Sequence, residues 1–267
     1  MLPGTLWHFP QLYGILRKRR TEGGDSMAFV DIHHHLLNGM DDGPAEFEET
    51  KRMLHRAVVE GVEHIAATPH MTPGMEHFDR DKYQERLAAV REYVAQEGLP
   101  LTIHAGVEVF YTAFTVSYLR QNKIMPLGNG WHVLVEFHPS ERYEAIRDAA
   151  MNISNAGYSM VLAHAERYRA LRRGDRLTEL RNAYDVKVQM NAAAILRAHQ
   201  RWGDRWIRRM LKDGKVDIVS SDAHNTTMRP CLMGSCAELL STTYGEDMAR
   251  QLCTEQAQKI LHERENA

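Results

Sequence analysis

Ala28-Phe29-Val30-Asp31-Ile32-His33-His34-His35 opens the regular part of the chain, and its reading decides the fold. The first five residues have the apolar, partly β-branched character of a strand. Three histidines stand where that strand ends. On an extended chain, residues two apart share a face, so His33 and His35 point one way and His34 the other. Two imidazoles on one face suit two ligands on a single ion.

Working outward, the same unit recurs. Short apolar runs lie at 64–67, 101–105, 131–137, 158–163, 186–190 and 216–220. Helical patterns separate them. The stretch 46–60 puts Phe47, Leu54, Ala57 and Val58 on one face and meets Gly61, where a helix would stop. Asp79 is placed to cap a helix carrying Tyr83, Leu87, Val90 and Val94 on one stripe. Further helices are expected at 141–156, 175–183, 205–212, 231–240 and 245–264. Strands alternating with helices imply βα units and a parallel sheet. The expectation is one α/β barrel-like domain. A Rossmann-type sheet is the alternative, weakened because no GxGxxG follows the first strand.

The bulk composition excludes several classes. The chain has 267 residues, 43% hydrophobic and 25% charged, which suits one large barrel or two modest domains and gives no sign of wide disorder. A formal net charge of -2 makes no electrostatic case for nucleic acid as an obligate partner. The three cysteines, Cys231, Cys236 and Cys253, are odd in number and lack CxxC spacing, which argues against a disulfide framework and for a cytoplasmic protein.

Residues 1–26 stand apart from the pattern. An apolar stretch around Leu6 to Leu16 precedes the basic run Lys18-Arg19-Arg20, the reverse of a secretory signal, and Pro3 and Pro10 interrupt it. It is too short to span a bilayer, so no transmembrane segment is expected. These residues are read as a flexible N-terminal extension, or as a short arm that packs on a neighbour or a membrane surface. Residues 27–267 are read as the single folded domain.

The chemistry-bearing residues follow the apolar runs. Asp42 lies in the loop Asp41-Asp42-Gly43, a pattern that also makes ordinary turns. His70 ends Ala67-Thr68-Pro69-His70, and Glu108 follows Gly106-Val107. Glu136 lies inside Val133-Leu134-Val135-Glu136-Phe137, where a buried acid needs a compensating cation, either a metal or a salt-bridge partner. His164 ends Met160-Val161-Leu162-Ala163, and Asp222 and His224 end Val219-Ser220-Ser221. Each site has a dull explanation alone. Together they occupy the same place in successive units, where barrel enzymes keep their active sites. Several ions with bridging carboxylates suit phosphate-ester hydrolysis. Arg167 and Arg229 could complete a phosphate site, since guanidinium matches phosphate bidentately. No cysteine is followed six positions later by arginine, so the CxxxxxR loop of thiol phosphatases is missing.

Asp31-Ile32-His33-His34-His35, Gly39-Met40-Asp41-Asp42-Gly43 and Ala67-Thr68-Pro69-His70 resemble the polymerase-and-histidinol-phosphatase (PHP) superfamily. Within it, His164-Ala165-Glu166-Arg167-Tyr168, Gln189-Met190-Asn191 and Ser221-Asp222-Ala223-His224-Asn225 are similar to the bacterial manganese-dependent tyrosine-protein phosphatases of capsule and exopolysaccharide operons. The likeness spans about 27–261. It implies a distorted TIM-like (β/α)7 barrel of the PHP type with three divalent ions, Mn2+ before Fe or Zn. His33, His35, Glu108 and Asp222 would hold one ion. Glu108 would bridge to a second with Glu136 and His164. Asp42, His70 and His224 would serve the third or lie beside it. The implied chemistry is attack on phosphorus by a metal-activated hydroxide, with Arg167 and Arg229 gripping phosphate and Asp42 and His70 as candidate acids. The implied partner is the tyrosine-rich tail of a bacterial polysaccharide kinase. His34 stands where the family usually has Ser, Met71 where a second His is common, and Ala165 where Pro is usual. None of these removes a ligand. The alternatives are a small-molecule phosphatase, for histidinol phosphate or a sugar phosphate, and a binding module with a degenerate metal site.

Overall fold

The seven apolar runs become seven parallel strand positions in the computed structural model, which describes residues 27–75, 78–128 and 130–262. The extension at 1–26 lies outside the described residues. The strands are β1 (Phe29–His34), β2 (Val62–Ala67), β3 (His70–Met71), β4 (Thr102–Ala105), β5 (Glu108–Phe110), β6 (His132–Glu136), β7 (Ser159–Leu162), β8 (Lys187–Asn191) and β9 (Ile218–Ser220). All their pairings are parallel. They form a three-stranded sheet, β1-β2-β4, and a six-stranded one, β3-β5-β6-β7-β8-β9.

The two short strands were not foreseen. They arise because β2 and β3 are one run of chain interrupted at Thr68-Pro69, and β4 and β5 are one run interrupted at Gly106-Val107. Proline has no N–H to give to a ladder, and glycine weakens one. The fully buried Tyr83 spans the gap: its hydroxyl accepts from Gly106 N–H at 3.0 Å and donates to Gly106 C=O at 3.1 Å. At the carboxyl ends, Asp222 N–H donates to His33 C=O at 2.9 Å and His35 N–H to Ala223 C=O at 2.9 Å. The last strand position thereby meets the first.

The helices match the periodicity closely. Phe47–Val59 buries Met53, Leu54 and Ala57 and ends at Gly61, whose φ of 85° suits glycine. Arg80–Gln96 buries Tyr83, Leu87, Val90 and Val94, and Asp79 accepts from Lys82 N–H at 3.0 Å as its cap. Tyr143–Asn155, Arg176–Tyr184, Arg205–Lys212 and Met233–Tyr244 follow as expected, within a few residues. Two short helices, Thr115–Arg120 and Ala192–Ala198, went unread because each is too short to show a period. The terminal helix is divided: Glu246–Arg250, a π turn at Gln251–Glu255, and Gln256–His262. Its Ala257, Ile260 and Leu261 pack with Val30, Ile32, Ala66, Leu134, Val161 and Ile218 as an inner core. The outer core lies between the strands and the surrounding helices. Among the described residues, no helix is long and apolar enough to cross a membrane.

Buried histidines give the fold a pH dependence. Burial, then the charge of Lys187, holds His132 down to about 4. Burial, then His64 and His262, holds His104 down to about 4. The unfolded chain takes up these protons below pH 6.5, whereas the folded chain refuses them until about 4. Stability contributed by the neutral rings is therefore complete above pH 6.5 and is lost as pH falls toward about 4. Asp31, pushed up to about 6 chiefly by burial, and Glu166, also raised by burial, work the other way, two acids against the lowered histidines His34, His64, His104 and His132. The unfolding midpoint, measured with chelator present, should fall across this window. His132→Gln should flatten that dependence. A wild-type midpoint that stays level or rises on acidification would contradict this.

Candidate metal centre

β1 carries the first two donors through a local irregularity. Asp31 pairs with Ile65 and His34 with Ala67, so three residues of β1 span two of β2. Such a bulge breaks the alternation and re-aims a side chain. Ile32 packs in the inner core, and the bulge lets the next residue, His33, face the same side. His35 joins it. His34 faces away, buried near Asp31 and Cys231, with both ring nitrogens lacking a hydrogen-bond partner. Burial, then the neighbouring histidines, holds His34 down to about 3, so it stays neutral.

The remaining donors come from the ends of later strands. His70 begins β3, Glu108 begins β5 and Glu136 ends β6. His164 and Asp222 follow β7 and β9 with φ of 34° and 54°, a left-handed conformation that non-glycine residues adopt mainly where the surroundings demand it. Asp42 arrives on the loop after β1. Gly43 lets that loop pass, because a Cβ there would lie 2.5 Å from the His35 carbonyl oxygen.

All nine sequence-derived donors converge. His33 Nε2 and His35 Nε2 lie 3.1 Å apart. Glu108 Oε2 is 3.0 Å from His33 Nε2, 3.2 Å from His35 Nε2 and 3.2 Å from His70 Nδ1. Its other oxygen, Oε1, is 2.9 Å from His164 Nε2. The two oxygens of one buried carboxylate thus serve two neighbouring groups. Asp222 Oδ1 lies 3.4 Å from His33 Nε2 and Glu136 Oε1 3.0 Å from His70 Nδ1. Asp42 Oδ1 is 3.1 Å from His224 Nε2 and 3.4 Å from His70 Nε2. Three overlapping sets have their donor atoms mutually within 4.8 Å: His33-His35-Glu108-Asp222, His70-Glu108-Glu136 and His35-Asp42-His70-His224.

The outer contacts show what this arrangement suits. His35 Nδ1 donates to Asp41 Oδ2 at 2.6 Å, His224 Nδ1 to the Asp222 carbonyl at 3.0 Å and His33 Nδ1 to Gln189 Oε1 at 3.3 Å. Those oxygens only accept, so each ring spends its proton outward and turns an Nε2 lone pair inward. Glu108 Oε2, despite three imidazole nitrogens within 3.2 Å, has no hydrogen-bond partner, and neither has the buried His224 Nε2. Lone pairs facing lone pairs repel unless a cation lies between them. The donor set fits divalent metal.

Electrostatics agree. Burial opposes charge on His35, but the hydrogen bond to Asp41 and the adjacent Glu108 carboxylate outweigh it and hold the ring up to about 10. His164 is held up to about 9, burial again outweighed by Glu108 and Glu136. Burial would raise Glu108, yet the charge of His33, the bond to His164 and the closeness of His35 keep it well below the carboxylate range. The acids demand positive charge beside them, as protons on imidazole or as metal.

Arg167 and Arg229, each partly exposed, flank the centre. Arg167 Nη2 donates to Asp222 Oδ2 in a short ion pair. Arg229 Nη2 donates to Asp222 Oδ1 at 2.9 Å, and its Nη1 lies 3.4 Å from Asp42 Oδ2. Asn225 Oδ1 accepts from the N–H groups of Met228 at 2.7 Å and Arg229 at 3.1 Å, which fixes that loop.

Four supporting residues stand in the sequence only as members of its motifs. Asp41 orients His35 and accepts from His70 N–H at 3.0 Å. Gln189 accepts from His164 N–H at 2.7 Å, and Asn191 donates to Asp222 Oδ2 at 2.7 Å. The Tyr168 hydroxyl lies 3.3 Å from His164 Nδ1. Their signal was polarity inside or beside apolar runs, which alone does not say what they touch. The three cysteines are buried, and burial raises all three thiols, which suits no nucleophilic role.

The sequence model of a capsular polysaccharide synthesis family, CpsB/CapC, matches residues 29–262. The chain is 30% identical over 240 residues to tyrosine-protein phosphatase CpsB of Streptococcus pneumoniae, covering 87% of this chain and 98% of that protein. It is 26% identical over 239 residues to tyrosine-protein phosphatase YwqE of Bacillus subtilis (strain 168), covering 87% and 91%. Among solved structures, a chain from the crystal structures of YwqE and CpsB, described as unique metal-dependent tyrosine phosphatases, superposes with a TM-score of 0.78 at 24% identity, over 87% of this chain and 94% of that one. An amidohydrolase from Mycoplasma synoviae gives 0.57 at 10% identity, over 88% of each chain, a likeness of fold alone.

Proposed function

From the premise that this chain belongs to the CpsB/CapC family of capsular polysaccharide synthesis, we propose that it is a metal-dependent phosphoric monoester hydrolase acting on phosphotyrosine in protein. The observation that carries this is the convergence of nine imidazole and carboxylate donors beside two arginines. The proposed occupants are three divalent ions, manganese first, with iron or zinc also suited to such ligands. His33, His35, Glu108 and Asp222 would hold one. Glu108, Glu136 and His164, with His70 alongside, would hold the second, and Asp42, His70 and His224 the third.

When bound, such ions neutralise phosphoryl oxygens and ease deprotonation of the attacking water at neutral pH. The protein's own groups do the rest. Arg167 and Arg229 present guanidinium forks at the rim, where an arriving phosphate can compete with Asp222 and Asp42 for them. Met40, Met71, Phe78 and Lys82 line a cleft beside His70, where the substrate's ring would lie. Phenolate, with a conjugate acid near pH ~10, leaves more readily than an alkoxide. Little proton donation is then needed, and Asp42 and His70, both partly exposed, are the groups placed to give it.

The proposed partner is the tyrosine-rich tail of a bacterial polysaccharide kinase. A cytoplasmic site of action belongs to the same reading and agrees with three free, buried thiols. So does the assignment of 27–267 as one catalytic domain. Turnover of a phosphotyrosyl peptide should exceed that of histidinol phosphate when both are assayed with Mn2+. A large preference for histidinol phosphate would move the assignment to a small-molecule phosphatase.

A further inference from the structure

A second histidine cluster lies away from the centre just described. His64 on β2 and His104 on β4 alternate with Ile65 and Ile103, which pack into the outer core, so both rings face inward. His262 reaches them from the terminal helix, whose Ala257, Ile260 and Leu261 belong to the inner core. His104 precedes Glu108 by four residues, about 13 Å along an extended chain. The two clusters are thus separate along the strand.

We propose that His64, His104 and His262 form a further metal site, for one divalent transition-metal ion of the zinc type, that ties the terminal helix to the inner face of the sheet. His64 Nδ1 and His104 Nε2 are 3.1 Å apart. One ring atom from each of the three residues lies within 4.8 Å of the others. The ring centroids are 5.3 Å apart for His64 and His104, 5.4 Å for His104 and His262 and 5.9 Å for His64 and His262. Tetrahedral Zn–N bonds of about 2.0–2.1 Å separate neighbouring ligand nitrogens by roughly 3.3 Å. The first pair already has that spacing, and His262, at the helix end, closes the set by a small ring movement. Three imidazoles with an open fourth position form a well-known zinc set, and imidazole also suits nickel and copper.

The protonation state helps. Burial, then the other two histidines and Arg91, lowers His104, and burial and His262 lower His64, while Glu63 beside it acts in the opposite sense. Both rings are therefore neutral at pH 7, and each offers one nitrogen lone pair once the proton shared along their 3.1 Å contact moves to the other nitrogen of its ring. An ion here would cross-link residues 64, 104 and 262, which are far apart in the chain, and so oppose fraying of the helix that fills the inner core.

The test is zinc stoichiometry. Protein loaded with Mn2+ is equilibrated with Zn2+, desalted and analysed for metal, as wild type and as His262→Ala and His104→Ala. Exchange at the principal centre is common to all three and cancels. The expected result is one zinc more per wild-type chain than in either variant, with a zinc-dependent rise in unfolding midpoint confined to wild type and phosphatase turnover unchanged in His262→Ala. Equal zinc content in all three would overturn the proposal. Should a variant not fold, anomalous diffraction at the zinc edge from wild-type crystals decides: a peak among the three rings supports the site, and its absence when the principal centre shows metal overturns it. The outcome is independent of the phosphatase assignment, because it reads metal and not turnover.

Discussion

Asp222→Asn is expected to lower turnover of a phosphotyrosyl peptide by more than about 10²-fold while leaving the protein folded, since even residues that only orient ligands are worth about 10–100-fold. Asp222 is a junction. Its Oδ1 faces His33 and His35 and accepts from Arg229, while its Oδ2 accepts from Arg167 and Asn191. An amide in its place keeps the size, loses the charge, and turns an NH2 toward groups that are themselves donors or lone pairs awaiting a cation. Two guanidinium groups then lose their common counter-charge. Asn is the right probe because residue 222 has φ of 54°, a region Asn tolerates better than Ala. Circular dichroism and the unfolding midpoint check the fold, and elemental analysis should show reduced metal. Turnover near wild type would remove Asp222 from the catalytic set and break the proposed first ion site.

Chelation should have the other large effect. Stripping with a strong chelator is expected to bring turnover to background, and added Mn2+ should restore it. An alkylating agent under native conditions should leave turnover unchanged, because Cys231, Cys236 and Cys253 are buried and their thiols are held protonated by burial. The stripped protein should also unfold at a lower temperature. Glu108 and Asp222 are buried acids; without a metal the charge of Glu108 rests on protons borrowed by neighbouring imidazoles, and that of Asp222 on those together with Arg167 and Arg229. Full activity in excess chelator, or loss of activity on alkylation alone, would contradict a metal mechanism.

Much of this was legible in the chain. Seven apolar runs bounded by turn residues specify seven strand positions, because burial on both faces demands continuous hydrophobicity. The stripe Tyr83, Leu87, Val90 and Val94 with Asp79 ahead of it specifies a capped helix by local chemistry alone. Donors at the ends of those runs marked the site, since parallel strands align their carboxyl ends. The short strands at His70–Met71 and Glu108–Phe110 were not readable, because they exist only as continuations across the breaks at Thr68-Pro69 and Gly106-Val107.

By itself, then, the sequence determined the seven strand positions, the longer helices and which residues could ligate a cation, because all three follow from side-chain type and spacing along a local stretch. The tertiary structure decided which atoms meet. The bulge between Asp31 and His34, the left-handed backbone at His164 and Asp222, and the bonds joining residues 33 and 35 to 222 and 223 aim the donors at one another. It also placed Asp41, Gln189 and Asn191 behind them and gathered His64, His104 and His262. Those features depend on register between strands far apart in the chain, and a local window carries no information about register.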